Sequence, residues 1–230
     1  MMKEAFHMTD EDFRDYTDDI GFDQVSLPDH PSRIAPEHLE ALKKIVGKEF
    51  VTTGDYERLS VAYGCTGYDL LRLRHKQIDS LPDVVVYPDT TEQVEELVRY
   101  AAEHKLPLYV YGGGSSVTRG VEPIKGGISL DMRKRFNKIL SFNEVDQTIT
   151  VQAGLSGPAL EEALQDAPNR FGAKRQYTCG HFPQSFEYSS VGGWVVTRGA
   201  GQNSTYYGTI ADIVLSQKYA TPIGRIVTPH

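Results

Sequence analysis

Gly112, Gly113, Gly114, Ser115 and Ser116 concentrate main-chain and hydroxyl donors in one short loop, directly after the apolar run Leu108 to Tyr111. A strand that ends in glycines has two readings. One is a sharp strand-ending turn. The other is a nest, in which successive residues at positive φ aim several N–H groups at one anion with no Cβ in the way. The hydroxyls of Ser115 and Ser116 favour the anion. Two other phosphate-binding designs do not fit. A Walker loop needs GxxxxGK[ST], which the sequence lacks, and a Rossmann turn needs GxGxxG opening straight into a helix, which Gly120 and Pro123 would interrupt.

A second candidate segment is CGHFPQSFEYSSVGGWVVTRGAG, Cys179 to Gly201. The N–H groups of Gly192 and Gly193, together with Arg198, are candidate donors to an anionic ligand. Arg198 serves equally well as a surface or salt-bridging arginine. Trp194 suits core packing better than ring stacking, and His181 reads as a loop histidine with a structural hydrogen bond. Further on, Asp212 in TIADIVLS reads from the residues as the cap of a buried strand start.

The elements that must position these loops follow from periodicity. Residues 82–114 predict a strand from Val84 to Tyr87, a helix opened by Thr90 with Gln93 in capping-box spacing, and a strand from Leu108 to Tyr111. Val94, Leu97, Val98 and Ala101 form that helix's inner face. The whole is a β-α-β unit with parallel strands and a right-handed crossover. Downstream, ISLD at 128–131, ILSF and TITVQAG around the turn NEVDQ predict short strands, and Ser156 with Pro158 opens a helix with Leu160, Ala163 and Leu164 inward. From Asn169 to Ser190 the sequence reads as loop, then as the glycine-punctuated GGWVVTRGAG, then as a hairpin pairing IVLSQKYA with RIVT. Upstream, Pro36 begins a helix that Gly47 closes.

Composition excludes several classes. With 24 basic and 31 acidic residues the net charge is -7, against a nucleic-acid surface. Glu4, Asp10, Glu11, Asp12, Asp15, Asp18, Asp19 and Asp23 face only Lys3 and Arg14 in the first 23 residues, so residues 1–35 read as an acidic arm, draped over the body or partly disordered. That start resembles neither a secretory signal nor a transit peptide, and no transmembrane segment is legible. Cys65 and Cys179 stand apart with no CxxC pair, so neither a disulfide nor a metal site is expected, and a reducing cytoplasmic location is.

Taken together, the two loops resemble the FAD-binding domain of the vanillyl-alcohol oxidase family, also called the p-cresol methylhydroxylase (PCMH) type. The likeness runs from about Leu81 to Thr221 and is nearest to its alkyldihydroxyacetonephosphate synthase branch, then to its glycolate and D-lactate dehydrogenases; upstream only AYGCTGYDLLRLRHK matches, loosely. The resemblance implies an α+β fold with a small parallel β-α-β subdomain and a larger mixed or antiparallel sheet flanked by helices. It divides the chain into an acidic arm with short helices (1–80) and an FAD-binding domain (81–230). It implies that Val110, Tyr111, Gly112, Gly113, Gly114, Ser115, Ser116 and Val117 wrap the FAD pyrophosphate. Pro183, Gln184, Ser185, Ser189 and Ser190 would pass near the flavin and ribityl chain, and Gly192, Gly193, Thr197, Arg198, Gly199, Ala200 and Ile210 would also touch the cofactor. Where the synthase pattern has an aspartate, this chain has Gln184.

Members with covalent FAD often carry a histidine directly after the glycine pair. Ser115 stands there, so noncovalent FAD is expected. GHFPQS matches the synthase Gly-His-x-Pro-x-Ser, whose histidine is not the attachment point. The family's domain continues past this sequence and its cap domain carries the catalytic side chains, so the C-terminal part and cap are expected to be absent, catalytic residues are unassigned, and exposed apolar surface could drive homo-dimerisation. The expected function is the FAD-binding part of an oxidoreductase acting on a small 2-hydroxy acid or similar alcohol. The alternatives are an ether-lipid transferase of the synthase type, using an FAD N5 adduct, and a catalytically silent FAD- or partner-binding module.

Overall fold

The structure is a computed structural model that describes Thr9 and residues 25–228. Most of the acidic arm lies outside the described residues. Its end, 25–35, runs over the body: the Leu27 N–H donates to Asp55 (2.7 Å), and the Arg58 guanidinium donates to the His30 carbonyl (2.9 Å).

Helix α1 (Pro36–Val46) starts on its proline and stops at Gly47, whose φ of 99° ends the helix. It lays Leu42 and Val46 on a four-stranded sheet. Strand β1 (Val51–Thr52) leads to helices α2 (Asp55–Ser60) and α3 (Gly67–Arg74), then to β2 (Val84–Val86). Helix α4 (Thr91–Glu103) follows, with the Thr90 hydroxyl accepting from the Gln93 N–H (3.2 Å); the Gln93 side chain caps the Asp89 N–H (2.8 Å). Strands β3 (Leu108–Tyr111) and β4 (Ile128–Asp131) complete the sheet in the order β1-β2-β4-β3.

The strands of the β-α-β unit are parallel, and β4 lies between them: Ile128 sits opposite both Val84 and Leu108. Gly127 makes this insertion possible, because at its φ of 84° a Cβ would strike Pro107. The inner strands β2 and β4 are buried on both faces, as expected of parallel strands, whereas the edge strand β3 exposes Val110. Val84 and Val86 join Leu42, Leu97, Ile128 and Leu130 on one side, while Val85 meets Val61 and Tyr111 on the other. Residues on both sides of position 81 therefore share one core.

The second half carries the rest of the α+β fold. Strands β5 (Ile139–Asn143) and β6 (Thr148–Val151) form a hairpin with a register shift at Ile139–Ser141. Helix α5 (Gly157–Gln165), capped by Ser156, buries Leu160, Ala163 and Leu164. Short helices α6 (Ala167–Phe171), α7 (Val191–Thr197), α8 (Ser204–Tyr207) and α9 (Ile210–Ile213) follow, then the hairpin β7 (Lys218–Thr221) and β8 (Gly224–Val227). The antiparallel part expected as one larger sheet is represented by these two hairpins, each pairing within itself. The second core gathers Leu155, Leu160, Leu164, Trp194 and Ile210. Among the described residues no helix is long and apolar enough to cross a membrane.

Two expectations change here. GGWVVT is helical: Ser190 caps α7, and the N–H groups of Val191 and Gly192 dock on the carbonyls of Leu155 (2.9 Å) and Ala153 (2.8 Å). These tertiary bonds override the weak helix propensity of two glycines. Ile210 to Ile213 is likewise a helical turn capped by Thr209 and Asp212, rather than a strand.

Candidate functional site

The parallel sheet delivers the glycine loop at the carboxyl end of β3, where Tyr111 is buried. Of the three glycines only Gly114 has a positive φ, 72°. The expected run of left-handed residues is therefore corrected, and steric crowding explains the sequence instead. A Cβ on Gly113 would lie 2.5 Å from Ser189 Cα and closer still to the Tyr188 carbonyl, and one on Gly112 would strike the Ser190 hydroxyl. Glycine is needed here so that the two loops can touch.

This contact leaves the loop's donors free. Among the described residues, the main-chain N–H groups of Gly112, Gly113, Gly114, Ser115 and Ser116 find no acceptor. Main-chain donors away from water are nearly always paired, so five adjacent ones without a protein acceptor on a largely half-buried loop form a donor set open to an external acceptor such as an anion. A diphosphate fits that donor set.

A buttress that sequence reasoning weighted only lightly holds the loop from behind. The Cys65 N–H donates to the Ser116 carbonyl (2.9 Å), and a Cβ on Gly64 would collide with that same carbonyl. Past the loop, the buried Glu122 accepts hydrogen bonds from Arg72 (3.0 Å), Ser80 (2.8 Å) and Arg119 (2.6 Å). Burial pushes the Glu122 carboxyl up, but these donors outweigh it and hold the group below the usual carboxylate range. Arg72 also pairs with Asp79 (2.9 Å) and lies over the Tyr63 ring (4.8 Å). The available signal was a leucine-rich stretch, LLRLR, carrying arginines that a plain core helix would not need.

The second loop is built differently, because its polar groups are mostly engaged within the protein. The Ser189 hydroxyl donates to the Ser185 carbonyl (2.7 Å) and accepts from the indole N–H of the buried Trp194 (2.6 Å). Ser190 Oγ accepts from the Gly193 N–H (3.4 Å). With the Gly192 N–H on Ala153, neither amide of the glycine pair is free to donate, which corrects the role assigned to them. Gln184 is exposed and Pro183 half-buried. Val110 and Val117 are exposed beside the first loop, whereas Ile210 belongs to the Trp194 core.

At the end of α7 the Thr197 hydroxyl donates to the Gly193 carbonyl (2.8 Å), and Gly199 and Ala200 lead away from the helix. Arg198 sits in the left-handed region (φ 53°), exposed, with no ion pair among the described residues. A non-glycine residue held there carries strain of order 1 kcal/mol, as do Lys76, Lys105, Arg119 and Gln147 at similar φ. His181 contradicts its expected structural hydrogen bond. It is 0% exposed, and among the described residues neither ring nitrogen has a partner. Its neighbour is the edge of Trp194, at 5.0 Å between ring centroids, and burial pushes the imidazole below the ordinary histidine range.

Known proteins match this arrangement. A family profile described as an FAD binding domain matches residues 82–229. Alkyldihydroxyacetonephosphate synthase of Dictyostelium discoideum is 33% identical over 199 residues, covering 85% of this chain and 31% of the relative. A mitochondrial D-lactate dehydrogenase [cytochrome] of Saccharomyces cerevisiae is 27% identical over 191 residues, covering 82% of this chain and 30% of the relative. A solved alkyldihydroxyacetonephosphate synthase superimposes with a TM-score of 0.81 at 31% identity, over 90% of this chain and 38% of that one. The chain spans about a third of the length of these relatives. Its fold is that of PCMH-type FAD-binding proteins, and the free amides of the glycine loop suit the diphosphate that such a cofactor carries. The chain belongs to the FAD binding domain family, matched over residues 82–229.

Proposed function

We propose that the chain is the FAD-holding part of an enzyme of the alkyldihydroxyacetonephosphate synthase type, with the cofactor bound noncovalently. The observation that carries this reading is the superposition on the solved synthase, with a TM-score of 0.81 at 31% identity over 90% of this chain. Residues Tyr63 to Ser80 are built into the back of the glycine loop yet lie outside the matched domain at 82–229. The synthase and the D-lactate dehydrogenase matches, over 90% and 82% of the chain, are both long enough to reach upstream of residue 82 into this support, and the higher identity to the synthase, 33% against 27%, favours the synthase type.

In this reading each element has a task. The amides of Gly112 to Ser116 hold the diphosphate, and Arg198 supplies a cation for which no counter-charge stands among the described residues. The Trp194–Ser189–Ser185 tie keeps the second loop against Gly112 and Gly113, and with it the wall that excludes water. FAD, when bound, supplies the electron-accepting ring. Ser115, in place of a histidine, offers no imidazole for covalent attachment.

A second reading, a flavin oxidoreductase acting on a small 2-hydroxy acid, is favoured by the D-lactate dehydrogenase match. Two assays separate them. The full-length protein, loaded with FAD, is given an acyl-dihydroxyacetone phosphate and a fatty alcohol, and free fatty acid is measured; in parallel, bleaching of the flavin band by D-lactate or glycolate is followed. Fatty-acid release without bleaching supports the synthase type, and bleaching without release the dehydrogenase. Acid precipitation that leaves flavin colour in the supernatant checks noncovalent binding; colour retained in the pellet contradicts it.

A further inference from the structure

His181 is enclosed where the second loop meets the segment after α7. Its Nε2 faces the backbone at Gly199, where an added Cβ would stand 3.9 Å away. Gly199 begins the cover, Gly199-Ala200-Gly201, which holds no side chain larger than a methyl and packs through Gly201 on the Phe182 backbone. It is fixed at its edges: the Gly199 N–H donates to the Trp194 carbonyl (3.1 Å), the Gly199 carbonyl accepts from the Ile210 N–H (3.2 Å), and the Gly201 N–H donates to the Ser204 hydroxyl (2.8 Å). On its other side stands Trp194, whose indole holds Ser189 and so the stretch that receives the glycine loop.

We infer that His181 is a positioning residue of the FAD site: as a neutral ring it props the Gly199–Gly201 cover and Trp194, and when it takes up a proton the cover opens and FAD is released. The inference rests on the FAD-binding reading. Two observations support it. First, an imidazole with both nitrogens buried and unpartnered tolerates the neutral state alone, because an unpaired buried charge is far more costly than an unpaired neutral group. Second, no neighbour offers compensation. The titratable and charged groups on the elements around it are Cys179, Glu161 on α5, Glu187 on the second loop, Arg198 ending α7, Tyr207 on α8 and Asp212 on α9. Among the described residues, none of their side chains hydrogen-bonds to the ring or forms an ion pair with it. Glu161 accepts from the Cys179 N–H (3.1 Å), and Asp212 caps Thr209. A proton on His181 can therefore be solvated only if the cover moves.

The sign follows from linkage. The enclosed imidazole has a lower affinity for protons than the exposed one, whose pKa is about 6.5. The closed state is undiminished above that value and loses ground as pH falls through it. FAD bound to the closed state must resist protonation, by reciprocity.

The test uses the 230-residue chain, its single tryptophan Trp194, and the variants His181→Phe and His181→Leu, which keep an apolar filling but cannot be protonated. Circular dichroism and the Trp194 emission maximum verify that each variant folds. FAD affinity and Trp194 emission are measured from pH 8 to pH 5. The expected result is binding at pH 8 in all three proteins, with affinity falling at least tenfold by pH 5 in the wild type and less than threefold in the variants. Wild-type Trp194 emission shifts along the same curve, displaced to lower pH by bound FAD. Binding that weakens equally in wild type and variants, or wild-type emission that stays flat while affinity falls, overturns the role of His181 alone. A lack of binding in all three at pH 8 overturns the cofactor reading together with this inference.

Discussion

The two loops that meet at Gly113 are made by opposite means. The first, Gly112 to Ser116, leaves its main-chain donors without an acceptor among the described residues and depends on an outside support, the Tyr63–Arg72–Glu122 buttress. The second, Gln184 to Ser190, engages its own serines in holding Trp194 and capping α7. Serines and glycines of similar appearance in the sequence thus divide into donors with no acceptor among the described residues and donors tied into the scaffold. What separates them is whether the neighbouring structure already supplies an acceptor, and this difference can be attacked by substitution.

The largest effect is expected at the buttress. Glu122→Ala leaves Arg72 and Arg119 without their shared carboxylate, with Arg72 fully buried, and should destabilise the protein by about 3–5 kcal/mol in chemical denaturation. FAD affinity should fall with it, because the end of the glycine loop loses its anchor. Gly113→Ala comes next. A methyl group placed 2.5 Å from Ser189 Cα meets backbone that cannot yield, so about 1–3 kcal/mol of stability and at least a hundredfold in FAD affinity should be lost, read by denaturation and flavin-fluorescence titration. Its counterpart in the second region, Gly193→Ala, meets nothing closer than 3.4 Å inside a helix and should leave stability unchanged or raise it by about 0.5–1 kcal/mol. Equal effects of the two alanines would erase the distinction between the loops.

Ser189→Ala removes the acceptor of the buried indole N–H, with an expected cost of about 1–3 kcal/mol and a change in Trp194 emission. The last substitution is the most discriminating. Arg198→Gly relieves left-handed strain and should raise stability by about 1 kcal/mol while weakening FAD binding several-fold. A variant that gains stability and keeps full affinity would show the arginine to be strained for some other reason.

Much of the first half was legible because its signals are local. Val84 to Tyr87 reads as a buried strand, Leu108 to Tyr111 as an apolar one, and Thr90 with Gln93 marks the start of α4, since each pattern needs only a few neighbouring residues. The insertion of β4 between β2 and β3 was not legible, because it depends on Gly127 passing Pro107, some twenty residues earlier in the chain. Helix α7 was missed for a related reason: two glycines argue against a helix locally, and the carbonyls of Ala153 and Leu155 that fix its first turn lie some forty residues upstream. At the site, residue types gave the positions of both loops. They did not give the division of labour, since Ser189 reads as a free donor until Trp194 is placed beside it. Nor did they reveal that Gly112 and Gly113 serve close approach rather than positive φ.

The central claim is that the unpaired amides of Gly112 to Ser116 grip the diphosphate of FAD, and amide chemical shifts report on it most directly. In a titration of the isotopically labelled chain with FAD, and with ADP as the diphosphate alone, the amide signals of Gly112 to Ser116 should move downfield, saturably and with both ligands, while those of Gly192 and Gly193 keep their positions to within a small fraction of that change. Saturable binding that leaves the glycine-loop amides unmoved, or shifts the Gly192 and Gly193 amides instead, would contradict the account.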